Sequence, residues 1–485
     1  MATAISVPLL AVTTIGLARL LGVSGFGRFA LYGFVLSTVV GFADLGVGTS
    51  ILRRGALAAN DADPHDLLQA VRAGSSWSLL QLPVLVIAGI LVLPSWSGRI
   101  IYGVAMALSY GFIGPSHFVV MTNDLRLSSL LKIVAISASS ALSLSCASFT
   151  HRADLTFALG ALGITMFTAV QGLAVPKEFR RAVFMPGRLM LTKKDVSFGL
   201  GSLLNGQLST FVFSRSELLF FSSGQSVARG QFAGSQTVAA RSTLLLDALL
   251  GNAGTALLTA SRSGQEDFKR AFASLSQASV ALFALYAPLG MVSAAILTAP
   301  LLGAAFTNVA GLATVLALMS MLQSAAGPLL NVRFGMGSIR PLLIAGIVGA
   351  AADAALAFWL VPPMAASGAG IANVGAGSVY VGLTVLGFRS EGADWYKLAT
   401  AHMCAMAEIL VVAGVAAAIE LLVPPTFGFL LALPLIGLAA CVALRLPHVR
   451  LEPGTLNGLF SEVLPFRVST TFSKRLVIRR LLNDL

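Results

Sequence analysis

The sequence predicts an all-α polytopic membrane protein with about fourteen transmembrane helices, and three observations carry that prediction. Of its 485 residues, 56% are apolar and only 11% are charged, with a mean hydropathy of +0.86. A soluble domain carries about a quarter charged residues, so this chain cannot dress itself in a water-facing surface. Apolar runs of about 20 residues, long enough to span a bilayer, recur along most of the chain. Basic residues cluster in alternate loops, as the positive-inside rule requires. Backbone groups in hydrocarbon must be bonded within their own segment, which makes the helix the default. The alternating ten-residue strands of a barrel are absent from the pattern.

The first six spans are read at 3–21, 29–50, 75–93, 100–120, 130–149 and 155–175. The polar stretch 176–197 follows. Six more spans lie at 198–222, 230–258, 275–299, 309–331, 341–362 and 369–388, and a last pair at 400–421 and 426–444. The seventh and eighth are rich in Ser, Gln, Gly and charge. The expected organisation is an N-terminal lobe (1–175), a cytoplasmic linker (176–197), a C-terminal lobe (198–388), a final helix pair (389–444) and a basic tail (445–485). Met1 opens inside the first apolar run, so a few residues upstream are expected.

An even number of spans places both termini on one side, and the charges choose the cytoplasm. Most of the 32 lysines and arginines fall in loops on that side, whereas the opposite loops hold Arg19, Arg28, Arg99, Arg152 and Arg229. The net charge of +12 is thereby explained without nucleic acid. In the tail, Val477, Ile478, Leu481, Leu482 and Leu485 share one helical face, away from Arg475, Arg479 and Arg480. Such a basic amphipathic helix suits the anionic inner leaflet, or it is a topogenic tail. Cys146, Cys404 and Cys441 sit in apolar runs and read as small buried hydrophobes; no metal or disulfide spacing is present.

A short repeat links the halves. Gly27-Arg28-Phe29-Ala30, at the start of the second span, recurs as Gly230-Gln231-Phe232-Ala233 at the start of the eighth.

Ionisable residues at membrane depth are costly and are functional candidates by default. Arg241 lies about 11 residues into span eight, or ~16 Å at 1.5 Å per residue. Asp353 lies similarly deep in span eleven. Arg215 and Glu217 occupy the outer half of span seven, Asp247 lies further along span eight, and Glu408 is central in span thirteen. Each has a plainer explanation. Arg215 can snorkel or pair with an acid, Asp353 can be the partner of an arginine, and Glu408 can face lipid. Asp44 reads as a cap or as a partner of Arg53 or Arg54, and His402 as an interfacial residue. No metal-ligand spacing and no phosphate-cradling Gly-x-x-x-x-Gly-Lys-[Ser/Thr] loop is present, which favours secondary transport over ATP hydrolysis.

Three motifs add a resemblance. Ala18-Arg19-Leu20-Leu21-Gly22, then Gly25-Phe26-Gly27, then Ala43-Asp44-Leu45-Gly46-Val47-Gly48 followed by Arg53, occur in this order. This opening resembles the polysaccharide flippases, the O-antigen and exopolysaccharide repeat-unit exporters of the multidrug/oligosaccharidyl-lipid/polysaccharide exporter superfamily. Ala366-Ser367-Gly368-Ala369-Gly370-Ile371-Ala372 is similar to the glycine- and alanine-rich entry to the family's twelfth helix. The family's cationic segment before helix one is missing.

The resemblance implies two six-helix lobes around a central cavity, with two accessory C-terminal helices. It implies no enzymatic activity and no cofactor. The implied substrate is an oligosaccharide linked by diphosphate to a polyprenyl carrier, moved from the inner to the outer leaflet of the bacterial inner membrane. The implied partners are membrane lipids, a polysaccharide polymerase and other assembly proteins. Arg19 matches the motif position where the related peptidoglycan-precursor flippase has a cavity arginine. Arg19, Arg215 and Arg241 are therefore the expected substrate-binding residues. Asp353, Asp247, Glu217 and Glu408 are the candidates for ion coupling or ion pairing. The alternative is a cation-coupled multidrug antiporter of the same fold, which usually has twelve spans and an acid in helix one. A membrane glycosyltransferase or ligase ranks third, because the outer loops are too short for a catalytic domain.

Overall fold

The computed structural model describes residues 2–422, apart from short interruptions at 61–63, 112, 123–124, parts of 171–191, 261–264 and 337–339. The fourteenth predicted span and the basic tail lie outside the described residues. The elements are α1 (Ala2–Ala43), α2 (Val47–Asn60), α3 (Pro64–Val92), α4 (Trp96–Gly111), α5 (Gly114–Met121), α6 (Leu125–Thr150), α7 (Ala153–Val170) and α8 (Lys193–Phe213). They continue with α9 (Ser226–Ala260), α10 (Gln265–Leu302), α11 (Ala310–Gly335), α12 (Arg340–Gly387) and α13 (Ala393–Leu422). Seven of the described helices are long and apolar enough to cross a membrane. The protein is an all-α, multi-pass membrane protein.

Two of these helices hold two predicted spans each. α1 is 42 residues long and breaks at Gly22 (φ 67, ψ 174), the glycine that ends the Ala18-Arg19-Leu20-Leu21-Gly22 motif. A side chain is strained at that positive φ. α12 is 48 residues long and breaks at Ala365 (φ 51, ψ −125), just after Pro362-Pro363. The prolines remove two backbone donors and disfavour a continued helix.

Three boundaries differ from the sequence prediction. Span two ends at Ala43 rather than at residue 50, because residues 44–46 turn the chain and α2 starts anew. The Asp44 carboxylate Oδ1 accepts from Gly48 N at 3.1 Å, Trp77 Nε1 at 3.2 Å and Gln81 Nε2 at 3.1 Å. Asp44 is thus the cap of α2. Leu45 (φ 47) and Gly46 (φ 71) complete the turn. Span four is split between α4 and α5. Span seven stops at Phe213, nine residues short of its predicted end; a 3₁₀ turn, Ser216–Leu219, follows. There the polar run Ser214-Arg215-Ser216-Glu217 supplies side chains that seek partners on neighbouring helices.

The chain divides into two compact units, one up to Gln207 and one from Leu208. In the first, α6 packs on α7 and α1, and α4 on α7. A cluster of Val47, Ile51, Leu67, Val71, Phe118 and Met121 joins α2, α3 and α5. Val175, Phe179 and Val183, from around the predicted linker, pack into that cluster. Ser76 Oγ also donates to Gly187 O at 2.7 Å. In the second unit, α9 packs on α11, and α10 on α13, α11 and α9.

Candidate functional site

The second unit concentrates its membrane-depth charges at the break between α8 and α9. α8 ends when Ser214 N donates its last helical bond to Thr210 O (2.9 Å). Gln236 of α9 then caps the open carbonyls, its Nε2 donating to Ser214 O at 3.0 Å and Phe213 O at 3.3 Å. Residues 216–219 tighten into the 3₁₀ turn, with Leu218 N on Arg215 O and Phe220 N on Glu217 O, both at 3.0 Å. Three consecutive side chains leave this turn on different errands.

Arg215 goes to α9. Its guanidinium donates to Thr237 Oγ1, and Thr237 Oγ1 donates in turn to Ala233 O at 2.8 Å. Arg241 stands four residues beyond Thr237, one turn along the same face. Both arginines are half-buried, and neither belongs to an ion pair among the described residues. Arg241 Nε is enclosed without a hydrogen-bond partner. Two neighbouring guanidinium groups without an acid repel one another, and an anion relieves that repulsion. Arginine also grips phosphate bidentately and keeps its charge.

Ser216 and Glu217 go to α12. Ser216, Glu217 and Asp353 are fully buried, and Asn373 is 1% exposed. Ser216 Oγ bonds both Phe211 O, at 2.6 Å, and Asp353 Oδ2. Asn373 Nδ2 donates to Val212 O at 3.2 Å. Among the described residues both oxygens of Glu217, Oδ1 of Asp353 and Oδ1 of Asn373 lack a well-aligned hydrogen bond, although the Glu217 carboxyl lies against Asp353 and Asn373. Bare carboxylates cannot be held so far from water without compensation. The cluster therefore suits a bound proton, or a small hard cation that takes oxygen ligands. Among the described residues no group of three or more His, Cys, Asp or Glu is placed to hold a metal ion.

The remaining candidates are distributed differently. Arg19 is exposed on α1 in the first unit. Asp353, read as an arginine's partner, bonds a serine instead, because the turn sends Ser216 to α12 and Arg215 to α9. The side chain of Asp247 lies outside the described residues. Glu408 is exposed on α13, on a face with Val411 (67% exposed) and Val415 (52%).

Two further residues depart from expectation. His402, read as interfacial, has its side chain buried in the protein, its Nε2 on Ala325 O at 2.9 Å and its Nδ1 on Ser276 Oγ at 2.7 Å. Arg333, in the last turn of α11, belongs by the alternation of loops to the water phase, yet it is fully buried, 2.7 Å from Glu391 and 4.1 Å over the Phe388 ring. Sequence reasoning missed Ser216, Thr237 and Asn373 at the candidate site. The signal for Ser216 was its place between Arg215 and Glu217, where the four polar residues 214–217 interrupt an apolar run.

No family model matches the chain, and no curated protein sequence matches it. Solved structures do. The chain superimposes on the lipid II flippase MurJ in an inward closed conformation with a TM-score of 0.59 and 13% identity, over 92% of this chain and 98% of that one. The fold is that of MurJ. The eukaryotic MATE transporter AtDTX14 matches with a TM-score of 0.50 and 13% identity, over 83% of this chain and 99% of that one. At this identity the likeness to MurJ and AtDTX14 establishes architecture, and substrate must be argued from the residues present.

Proposed function

We propose that the protein is a flippase for polyprenyl-diphosphate-linked oligosaccharide repeat units, moving them from the inner to the outer leaflet of the bacterial inner membrane by alternating access. The observation that carries this reading is the pair Arg215 and Arg241, half-buried side by side in a membrane-embedded unit and without an acidic partner among the described residues. A diphosphate must leave water to cross the bilayer, and fixed guanidinium groups replace its hydration. Arg19 joins them as a substrate-binding candidate on its motif alone. Glu217 and Asp353 are proposed as the site that couples transport to a cation gradient. Both termini are proposed to be cytoplasmic, with two six-helix lobes and accessory C-terminal helices. A polysaccharide polymerase is the proposed functional neighbour.

The test is genetic. Deletion should trap lipid-linked repeat units on the inner leaflet and remove a surface polysaccharide. At matched membrane levels, wild type should restore it, Arg241→Ala should not, and Arg241→Lys should restore part of it. A deletion strain that keeps its polysaccharides but becomes sensitive to cationic dyes would establish the multidrug antiporter instead. The buried carboxyl pair is what keeps that second reading open, because an antiporter also needs a cation site.

A further inference from the structure

We infer that the outward face of α13 is a homodimer interface, on which Glu408 pairs at mid-membrane with its own counterpart in a second copy of the chain. The inference does not depend on the flippase reading. α13 is 30 residues long, and Glu408 stands at its middle. Either end is ~22 Å away at 1.5 Å per residue, too far for the side chain to reach the membrane surface. One side of the helix is fully used. Ala405, Met406, Ile409, Leu410, Ala413 and Ala417 are buried, and α13 packs on α10 and α11. The opposite side is exposed at Cys404, Glu408, Val411, Val415 and Ala418. These five positions advance by alternate steps of four and three residues, which is the seam spacing of paired helices. Gly414 flanks the seam, and a Cβ placed there would meet nothing within 4 Å. A second helix can therefore approach closely. Among the described residues Glu408 has no ion pair or hydrogen bond.

A carboxyl group left to hydrocarbon is costly, so this face needs a partner that brings a hydrogen-bonding group to the same depth. The rest of the chain offers none. Residues 427–440, the body of the last predicted span, contain no side chain that can form a hydrogen bond. A second copy supplies one by symmetry. Two copies inserted in the same orientation are related by a two-fold axis along the membrane normal, and a residue on that axis meets its own copy. Glu408 then faces Glu408 at equal depth. Two neutral carboxyls satisfy one another, each O–H donating to the other's carbonyl oxygen, while Val411 and Val415 pack across the axis. The same axis sets Cys404 opposite Cys404, one turn nearer the start of α13.

That thiol makes the test direct. The full chain carrying Cys146→Ser and Cys441→Ser keeps Cys404 as its one cysteine. Oxidation with copper phenanthroline in native membranes should join it into a disulfide-linked dimer. Moving the cysteine to the seam with Cys404→Ser and Val411→Cys should preserve the crosslink. Moving it to Ile347, which is 58% exposed on α12, should abolish it. Subunit counting by single-molecule photobleaching in liposomes gives the second readout. Glu408→Gln, whose amide both donates and accepts, should dimerise as wild type does. Glu408→Ala should need a protein density about tenfold higher to reach half dimer, the effect of losing one strong polar contact between membrane helices. The proposal is overturned if neither position 404 nor position 411 crosslinks, if Ile347→Cys crosslinks as well as Cys404, or if Glu408→Ala dimerises like wild type. Should the cysteine-substituted chain fail to fold, photobleaching of the wild type decides. Single steps at every protein density would assign the face to another segment of the same chain and overturn the dimer.

Discussion

Arg333 illustrates how far a single residue can lie from its expected place. Loop position and the positive-inside pattern assign it to the water phase, yet its side chain is fully buried, held by Glu391 and stacked on Phe388. Removing one partner of a buried ion pair leaves an uncompensated charge, which costs on the order of 3 kcal/mol. Glu391→Ala should therefore lower the thermal unfolding midpoint in detergent more than Arg389→Ala does, since Arg389 is exposed. Equal shifts would contradict this account of the pair. Gly46 makes a second residue-scale case. A Cβ there would lie 1.9 Å from Gly199 O, and the φ of 71° is itself strained for an L side chain. Gly46→Ala should sharply reduce the amount of folded protein in membranes, measured by fluorescence-detected size exclusion. A wild-type yield and profile would refute the close packing of α8 on this turn. Two glycines of the flippase-like motifs, Gly22 and Gly46, thus have a backbone explanation, and Asp44 is a cap. The pattern that carries the resemblance is largely architectural at these positions.

At the scale of elements, hydropathy finds the helices and misses the joints between them. Thirteen predicted spans fall on described helices because a membrane helix needs a run of apolar residues whatever its neighbours are. The joints depend on pairing across the fold. The end of α8 was invisible because Leu218, Leu219, Phe220 and Phe221 sustain the apolar average past a polar run. What stops the helix is tertiary: Gln236 takes its terminal carbonyls, and α12 takes Ser216. α2 went unread because its residues Val47, Ile51 and Ala58 form only one apolar stripe, buried against α3 and α5. The candidate site was legible residue by residue, since charge at membrane depth stands out. Its grouping was not, because Glu217 and Asp353 are brought together by helices far apart in sequence. The break in α12 offers a test at this scale. Ala365 occupies a conformation (φ 51, ψ −125) suited to glycine, and such strain costs about 1–3 kcal/mol. Ala365→Gly should raise the unfolding midpoint; a lower midpoint would show that the break is not strained.

For the whole molecule, orientation follows from charge. Both termini should lie in the cytoplasm, because the basic residues gather in alternate loops. Reporter fusions after Leu93, Arg152 and Pro363 should report the outside, and fusions after Asn60, Arg188 and Lys397 the inside. Two or more reversed positions would discard the fourteen-span arrangement. The likeness to MurJ and AtDTX14 fixes the fold and leaves the substrate to be tested. The arginine pair is the reason for proposing a flippase rather than a multidrug antiporter, since paired guanidinium groups attract a diphosphate and repel an organic cation. The most direct measurement is transport by the purified full chain in proteoliposomes, following a short-chain polyprenyl-diphosphate oligosaccharide and ethidium in parallel. The account predicts leaflet-to-leaflet movement of the diphosphate lipid that is lost in Arg241→Ala, with no ethidium transport. Ethidium transport that survives Arg241→Ala, with the lipid left in its original leaflet, would contradict it.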